Sequence, residues 1–489
     1  MSDFTVNVTT EPGSFMDALV ESDRFTRFLM DNRPGTAPGY LTLSVPFENI
    51  DPLAVLELNG LSNGTRFYWE RPDYEMAIAA GNRVALLKST GRDRFRNISG
   101  QYNAMLDRMK HFSEINHSMA GAHLVGGFSF FDHPLSGAWS SIGNASFVLP
   151  EWLLVRDGQF SILNITRKWS PSDNPDEIRM WFSDWVHNFI NRLQSNIEQS
   201  RILQNKQTAG KEIFDAESGT DRRRWLANVE QARTAIKKNR FRKIVIARQL
   251  KLQTDQKISS TKLIHFLRKE YPSCYSFLYQ LNGDATFLGS TPEKLLSLQS
   301  RFVKTVALAG STPRGKTATR DAILEKKLLE SHKDLEEHAY VLDAIKEKLQ
   351  PMTDSLEHPQ MPVIKKYANV QHLCTPVAAS LTREMNAVDI LETLHPTPAV
   401  GGYPEIDAVA QIQELEQMER GWYAGPIGWL NTKQRAEFSV AIRSGLIRKK
   451  HVRFFAGCGI VEESDPETEW EETRIKFLPI QKGLEYASE

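Results

Sequence analysis

Two pairs of acidic residues carry the clearest signal for chemistry in this sequence. Glu469 and Glu472 lie three residues apart within the segment Ser464–Lys476. Asp334 and Glu337 repeat that spacing much earlier in the chain. In a helix, residues three apart lie on one face, so each pair would present two carboxylates together. Two such faces would offer the oxygen ligands that Mg²⁺ prefers, completed by water and an anionic molecule. Either cluster alone is more commonly a solvated helix face.

Helices and strands must bring these clusters together. A helix is predicted to begin near Asp465, since proline follows there, and the preceding glycine-rich Gly457–Val461 is predicted to be a turn. Apolar residues at helical spacing predict helices over Trp181–Gln204 and Arg222–Lys238. Strand patterns occur at Gly126–Phe131, Ala145–Pro150 and Arg242–Arg248. Because strands and helices alternate irregularly, we predict an α+β fold with a largely antiparallel sheet.

A polar stretch at residues 205–220, which contains Gly210 and Gly219, is the predicted linker. It separates an N-terminal region, residues 1–204, from a C-terminal region, residues 221–489. A length of 489 residues allows several domains or one large two-lobed unit. The glycine patterns that bind dinucleotides or nucleotide phosphates are absent, so the sequence does not support NAD or ATP chemistry.

The composition excludes several classes of function. The 60 basic and 60 acidic residues cancel, which argues against a general binder of nucleic acid or anionic membranes. The three cysteines are widely spaced and odd in number, so we expect no disulfide framework and a reducing, cytoplasmic setting. We find no signal-peptide pattern and no apolar run of about 18 residues, so no membrane span is expected.

Eight motifs become recognisable when they are taken together. They are Lys243–Arg248, Phe287–Glu293, Ala309–Gly315, Lys333–His338, His395–Gly402, Arg420–Gly428, Val440–Ser444 and Gly457–Lys476. In this order they resemble the chorismate-utilising enzymes, and most closely the isochorismate synthases. The resemblance implies one two-lobed α+β unit, in which large antiparallel sheets pack together with helices outside and the active site in the cleft. It also implies chorismate as the substrate, Mg²⁺ as the cofactor and a monomeric chain, in which residues 205–220 separate two regions of one folding unit.

The resemblance assigns acid–base chemistry to Lys243 and Glu293. Lys243 matches the base that would take a proton from water attacking C2 of chorismate, and a lysine can do so only where its charged form is disfavoured. Without the resemblance, a lysine at a strand start is usually a solvated edge residue. Glu293 matches the general acid that protonates the departing C4 hydroxyl. Its alternative is a first-turn carboxylate of a helix that begins near Ser290.

The acidic clusters take on metal-binding roles by the same resemblance. Glu337 and Glu472 are expected to bind Mg²⁺ directly. Asp334 and Glu469 are expected to contact these two ligands or to bind the metal through a water molecule. The metal would hold and neutralise the ring carboxylate. Lys476, one turn after Glu472, is expected to balance this charge or to contact the substrate. Its alternative is a helix-stabilising ion pair with Glu472.

The remaining site residues are expected to bind the substrate. Arg443 matches the arginine that grips the enolpyruvyl carboxylate with two parallel hydrogen bonds. The others are expected to assist or to line the ring pocket: Gly310, Ser311, Ala399, Val400, Tyr423 and Gly457. His395 matches a histidine near the reacting centre, and a structural turn at His395–Pro396 is the equal alternative.

The choice among the reactions of the family rests on three positions. Lys243 matches the members that activate water, whereas aminodeoxychorismate synthases use a lysine in the region of Ala309 and Gly310. Ala399 replaces a threonine common in relatives that also release pyruvate. These features favour an isochorismate synthase without an amidotransferase partner, feeding menaquinone, siderophore or salicylate formation. The alternatives are a salicylate synthase, an aminating enzyme with an amidotransferase subunit, and a non-catalytic chorismate sensor. Cys458, where many relatives have alanine, is predicted to confer sensitivity to thiol reagents.

Overall fold

The computed structural model describes residues 17–58, 61–62, 64–203, 213–215, 219–255 and 257–488. The helices in these residues are α1 (Asp23–Asp31), α2 (Pro52–Glu57), α3 (Arg94–Leu106), α4 (Pro175–Leu203), α5 (Gly219–Lys237), α6 (Ser260–Glu270), α7 (Ala318–Glu330), α8 (His332–Leu349), α9 (Ala387–Leu394), α10 (Glu405–Leu415) and α11 (Pro466–Ser488). Short 3₁₀ helices lie at Pro72–Tyr74, Gly137–Trp139 and Gln350–Met352. The hydroxyl of Ser331 accepts a hydrogen bond from the backbone N–H of Asp334 and so caps α8.

The strands in the same residues are β1 (Gly39–Pro46), β2 (Arg66–Arg71), β3 (Met76–Gly81), β4 (Ala85–Ser89), β5 (Met109–Ser113), β6 (His123–Phe128), β7 (Ala145–Leu149), β8 (Trp152–Asp157), β9 (Phe160–Trp169), β10 (Ile213–Asp215), β11 (Lys243–Thr254), β12 (Tyr275–Leu281), β13 (Ala285–Thr291), β14 (Lys294–Gln299), β15 (Phe302–Pro313), β16 (Thr353–Glu357), β17 (Val363–Lys366), β18 (Val370–Leu381), β19 (Gly402–Tyr403), β20 (Pro426–Asn431), β21 (Arg435–Val440), β22 (Ser444–Arg448) and β23 (His451–Ile460).

These strands form two large sheets. The larger has the order β10-β11-β23-β22-β13-β12-β2-β3-β8-β9-β1-β5, and β19 also pairs with β11. The smaller has the order β16-β18-β15-β14-β21-β20-β6-β7-β4, and β17 also pairs with β18. Neighbouring strands are antiparallel except for the parallel pair β1 and β5. Both sheets draw strands from the first 170 residues and from the C-terminal half, so the two halves of the sequence share one architecture.

The main hydrophobic core lies between the two sheets. It joins side chains of the larger sheet, such as Trp69 and Phe287, to side chains of the smaller sheet, such as Phe147 and Phe438. A second core covers the outer face of the larger sheet with helices α1, α4, α6 and α11. Buried apolar area is the main favourable contribution to folding, so this shared core favours the packing of one sheet against the other.

The predicted α+β fold with largely antiparallel sheets is confirmed, but two local predictions are wrong. Gly457–Val461 is not a turn, because Gly457 to Ile460 form the end of β23 and pair with β11. Ser290 does not begin a helix, since β13 runs to Thr291 and β14 begins at Lys294. Pairing of β14 with both β15 and β21 overrides the local helix-start signal there.

Other predicted elements differ mainly at their ends. The helix expected near Asp465 is α11, which begins at Pro466. The strand expected over Gly126–Phe131 is β6, which ends at Phe128. Of the predicted linker, residues 213–215 form β10 and α5 begins at Gly219, whereas residues 204–212 and 216–218 lie outside the described residues. Within the described residues, no helix is long and apolar enough to cross a membrane.

Candidate active site

A cavity of about 110 Å³ lies between the two sheets, under α8 and α11. Twelve of the predicted site residues line it: Lys243, Glu293, Gly310, Ser311, Glu337, Ala399, Val400, Tyr423, Arg443, Gly457, Glu472 and Lys476. Strands β11 and β23 of the larger sheet form one wall, and β15 and β18 of the smaller sheet face them. Three predicted residues do not line the cavity: Asp334, Glu469 and His395.

Lys243 is the first residue of β11, and its side chain is only 2% exposed. Its Nζ lies 2.7 Å from Oε1 of Glu337 on α8, so an ion pair joins the larger sheet to this helix. A Cβ on Gly459 would lie 2.9 Å from Cε of Lys243, so glycine is required there to make room for the lysine. The glycines in β23 therefore allow close packing around the cavity, whereas the sequence had predicted that they form a turn.

Glu293 lies in the two-residue connection between β13 and β14 and is 5% exposed. Its backbone is fixed on both sides: its N–H donates to Oγ1 of Thr291, and its carbonyl accepts from the N–H of Val440. Burial raises the pKa of Glu293 to about 7, although the positive charge of Lys243 opposes that rise. A carboxyl with this pKa is substantially protonated at neutral pH and can donate a proton.

The second carboxylate of the cavity, Glu472, comes from α11. Its Oε1 lies 2.7 Å from Nζ of Lys476, and that ammonium also donates to the carbonyl of Gly457 at 2.8 Å. Burial lowers the pKa of Lys476, but Glu472 outweighs it and the net pKa is raised. Burial would raise the pKa of Glu337, yet the neighbouring Lys243 lowers it below the usual value. Both glutamates line the cavity, and each is ion-paired with a lysine, Glu337 with Lys243 and Glu472 with Lys476.

Asp334 and Glu469 lie one turn before these two glutamates, away from the cavity wall. The hydroxyl of Ser331 donates to Asp334. Burial raises the pKa of Asp334, and the nearby charge of Glu337 adds to the rise. Burial raises the pKa of Glu469 in the same way, with Glu472 adding to it. Each helix thus presents a pair of carboxylates close enough to repel one another, which is a charge arrangement that a cation would relieve.

These donors fit a hard cation that keeps part of its water shell. Among the described residues, no group of three or more His, Cys, Asp or Glu side chains is placed to hold a metal ion. Glu337 and Glu472, however, approach the cavity from two different helices and offer only oxygen. Mg²⁺ is typically held by one or two carboxylates, with waters and substrate oxygens as its other ligands. The residues present therefore suit Mg²⁺ bound together with an anionic ligand.

Glycines on both walls of the cavity, Gly310 on β15 and Gly457 on β23, allow a ligand to approach the backbone closely. Gly310 has a φ of 72°, and a Cβ there would lie 3.1 Å from Cβ of Asp334, so a larger residue is excluded. A Cβ on Gly457 would lie 3.1 Å from Oη of Tyr423. Arg443, between β21 and β22, has a φ of 50°, which is strained for a residue with a side chain. Arg443 thus lines the same cavity as the carboxylates of Glu337 and Glu472.

The predicted histidine, His395, does not line the cavity, whereas His372, which was not predicted, does. His395 at the end of α9 is buried, its Nε2 lies 3.2 Å from the carbonyl of Phe130, and burial lowers its pKa to about 3. His372 on β18 lines the cavity opposite Ser311. Burial also lowers the pKa of His372 to about 3.

The two nitrogens of His372 have different surroundings. Its ring is hydrogen-bonded to the backbone of Gly310, whereas its Nε2 has no hydrogen-bonding partner among the described residues. In a neutral imidazole one nitrogen donates and the other accepts, so this leaves Nε2 as a free acceptor at the cavity. The sequence offered no clear signal for His372, because apolar and polar residues do not alternate regularly over Val370–Leu381.

Comparison with known proteins agrees with this geometry. Residues 27–485 match the family described as chorismate binding enzyme. The chain is 33% identical over 451 residues to isochorismate synthase MenF of Bacillus subtilis, covering 91% of this chain and 93% of that protein. It is 34% identical over 441 residues to the salicylate biosynthesis isochorismate synthase of Pseudomonas aeruginosa, covering 89% and 88%.

A solved structure extends the comparison to the fold. The menaquinone-specific isochorismate synthase MenF of Escherichia coli superposes with a TM-score of 0.72 at 24% identity, covering 94% of this chain and 98% of that one. At this identity the likeness concerns the fold alone. Together, the matched family, the extent of the two sequence relatives and the shared fold lead to one conclusion: the chain belongs to the family of chorismate-binding enzymes.

Proposed function

We propose that this protein is an isochorismate synthase, which converts chorismate to isochorismate. The observation that carries the proposal is the joint placement of a buried lysine and a carboxyl of raised pKa in one cavity. Lys243 and Glu293 both line it, and the pKa of Glu293 is about 7. The names of the Bacillus subtilis and Pseudomonas aeruginosa relatives support the same reaction. Two groups of complementary acid–base character are what replacement of one hydroxyl by another requires.

Chorismate carries two carboxylates, and the cavity offers cationic binding at two places. Arg443 would bind the enolpyruvyl carboxylate with its planar fork. Glu337 and Glu472 would hold Mg²⁺ near the ring carboxylate, and Lys476 would balance the remaining negative charge. When bound, the metal would neutralise and orient that carboxylate. The small residues at Gly310 and Gly457 let backbone groups approach the ring.

The chemical step exchanges one hydroxyl for another. In this structure Lys243 is ion-paired with Glu337. With Glu337 engaged by Mg²⁺, Lys243 would lose that partner, and in its neutral form it would accept a proton from a water molecule as the water oxygen bonds to C2. The ring double bonds shift, the C4–O bond breaks, and Glu293 donates its proton to the departing hydroxyl, which leaves as water. Water enters and water leaves, so the substrate is isomerised with no net change in composition. The acceptor Nε2 of His372 would orient a hydroxyl group in this cavity by a hydrogen bond.

Release of isochorismate, without loss of pyruvate, is part of the proposal. Ala399 presents only a methyl group to the cavity, so it offers no hydroxyl that could orient the elimination. We further propose that the enzyme is a cytoplasmic monomer. It would need no amidotransferase subunit, because Lys243 would activate water in place of ammonia. Salicylate synthase is the second candidate, since it shares the first step.

Incubation with chorismate, with and without Mg²⁺, tests these proposals directly. Products are separated by chromatography while pyruvate is assayed in parallel. We expect isochorismate without pyruvate, and no product after EDTA treatment. Stoichiometric pyruvate with salicylate would move the protein to salicylate synthesis. Absence of turnover without an added amidotransferase or ammonia would contradict the proposed function.

A further inference from the structure

A buried ion pair outside the proposed chemistry connects two walls of the cavity. Arg420 and Glu416 have side-chain exposures of 0% and 2%. Glu416 directly follows α10, and its two oxygens accept from Nε and Nη2 of Arg420 at 2.8 and 2.6 Å. This is a bidentate pair in which the carboxylate fixes the plane of the guanidinium.

The other hydrogen bonds of this pair go to the backbone around the cavity. Nη2 of Arg420 donates to the carbonyl of Val245 on β11 at 2.7 Å, and Nη1 donates to the carbonyl of Val400 at 3.0 Å. Glu416 accepts from the N–H of Ala247 on β11 at 2.6 Å. Both Val245 and Val400 line the cavity. One guanidinium thus joins the strand that carries Lys243 to the loop that carries Ala399 and Val400.

An aromatic ring also packs against the face of the guanidinium and restrains its movement perpendicular to its plane. Its Cζ lies 4.3 Å from the centre of the Phe130 ring. Phe130 in turn accepts, through its carbonyl, the hydrogen bond of His395 at the start of the same loop. Residues 395–401 are therefore attached to this cluster at both ends, through His395 and through Val400. The loop also meets β11 directly, since the N–H of Val245 donates to the carbonyl of Gly401 at 3.0 Å.

Stability alone does not account for this arrangement. A buried ion pair costs desolvation energy, and well-packed apolar residues often replace one without loss of stability. Apolar side chains could not, however, make directed hydrogen bonds to two separate carbonyls. Lysine could not replace the arginine fully either, because its ammonium is a point donor and not a planar fork. The property specific to Arg420 is the fixed spacing that it imposes between Val245 and Val400.

We propose that Arg420, oriented by Glu416, is a positioning residue that sets the distance between β11 and the loop at 395–401. It thereby places Lys243 relative to the ring pocket. The proposal rests on the proposed function for its kinetic consequence but not for its structural one. Enzymatic steps are sensitive to small misplacements, and about 1 Å can cost on the order of 100-fold in rate.

The kinetic test compares Arg420→Lys with Arg268→Lys. Arg268 is a matched control, because it also donates to several partners, Asp51, Tyr68 and Glu70, but lies far from the cavity walls. We expect kcat of Arg420→Lys to fall at least about tenfold, with KM for chorismate within about threefold, in protein shown to be folded by circular dichroism. Arg268→Lys should lower the Tm and leave kcat unchanged. An unchanged kcat in Arg420→Lys, or an equal loss in the control, would overturn the proposal.

Hydrogen exchange tests the structural claim independently of activity. We expect exchange in peptides spanning residues 243–247 and 399–403 to quicken at least about tenfold in Arg420→Lys, with β8 and β9 unchanged. Uniform acceleration, or none, would refute the positioning role. If Arg420→Lys does not fold, Glu416→Gln serves in its place and should quicken exchange in the same two segments. Should the wild-type enzyme fail to turn over chorismate, only the proposed function falls, because the exchange result still decides the role of Arg420.

Discussion

Replacement of Glu293 by glutamine should remove activity and at the same time stabilise the folded protein at neutral pH. The reason is that the cavity holds a carboxyl where its ionised form is disfavoured. Burial raises its pKa from the ordinary 4.5 to about 7. Glutamine has nearly the same shape and no charge to bury, but it cannot donate the proton. General acid catalysis is typically worth about 10²- to 10⁴-fold in rate, and we expect a loss of kcat in that range.

The size of the stabilisation follows from linkage. The folded state binds the proton more tightly than the unfolded state, so the wild-type protein loses stability as the pH rises from 4.5 towards 7 and loses no more above it. One pH unit corresponds to about 1.4 kcal/mol, so the full loss is about 3 kcal/mol. Glu293→Gln escapes this loss. Its advantage in free energy of unfolding should be near zero below about pH 4, reach about 0.8 kcal/mol at pH 5 and approach about 3 kcal/mol at pH 8.

Urea unfolding of both proteins at pH 5 and pH 8 measures the difference. Glu347→Gln is the matched control, because Glu347 is exposed and its replacement should leave the free energy of unfolding within about 0.5 kcal/mol at either pH. Turnover of chorismate is assayed on the same preparations. Above pH 7 the protonated fraction of Glu293 should fall roughly tenfold per pH unit, and the wild-type rate should fall with it at any pH where Lys243 is already neutral. An advantage equal at both pH values, or a destabilised variant, would refute the reasoning.

Four further predictions concern other cavity residues. Lys243→Ala should fold and lose water addition by at least about 100-fold; near-normal turnover would exclude it as the base. Glu337→Gln and Glu472→Gln should each abolish Mg²⁺-dependent activity, and an unchanged Mg²⁺ titration would remove either as a ligand. His372→Phe should lower the Tm by a few degrees, because the backbone of Gly310 loses its hydrogen bond, and should lose about tenfold in kcat; full activity would show that Nε2 accepts no essential hydrogen bond. The sensitivity to thiol reagents predicted from the sequence is revised for Cys458: its thiol is buried and burial raises its pKa, so it should alkylate slowly at pH 7, and Cys458→Ala should remain active; rapid inactivation of the wild-type protein would contradict the revision.

Local spacing was enough to predict the acidic faces. Asp334 and Glu337 lie together on α8 and Glu469 and Glu472 lie together on α11, as a separation of three residues in a helix requires. The fold class was also accessible, since alternating and helical patterns report which face of an element is buried. Local sequence signals gave wrong predictions at Ser290 and at Gly457. At both places the backbone conformation is set by strand pairing and close packing with distant residues.

Which histidine lies at the cavity could not be predicted from the sequence. The sequence pointed to His395 and not to His372. Burial among aromatic rings keeps His395 away from the cavity, and a strand register opposite Ser311 brings His372 to it. The bond between Arg420 and Val400 is likewise invisible before the fold is known.

The sequence by itself determined the family motifs, the fold class and the residues that share a helix face or a strand face. Only the tertiary structure decided that Lys243 meets Glu337, that the pKa of Glu293 is about 7, and that His372 offers a free acceptor. The physical reason is that periodicity operates within one element, over a few residues. Desolvation and ion pairing depend on which faces of distant elements meet, and the packing of the two sheets alone settles that.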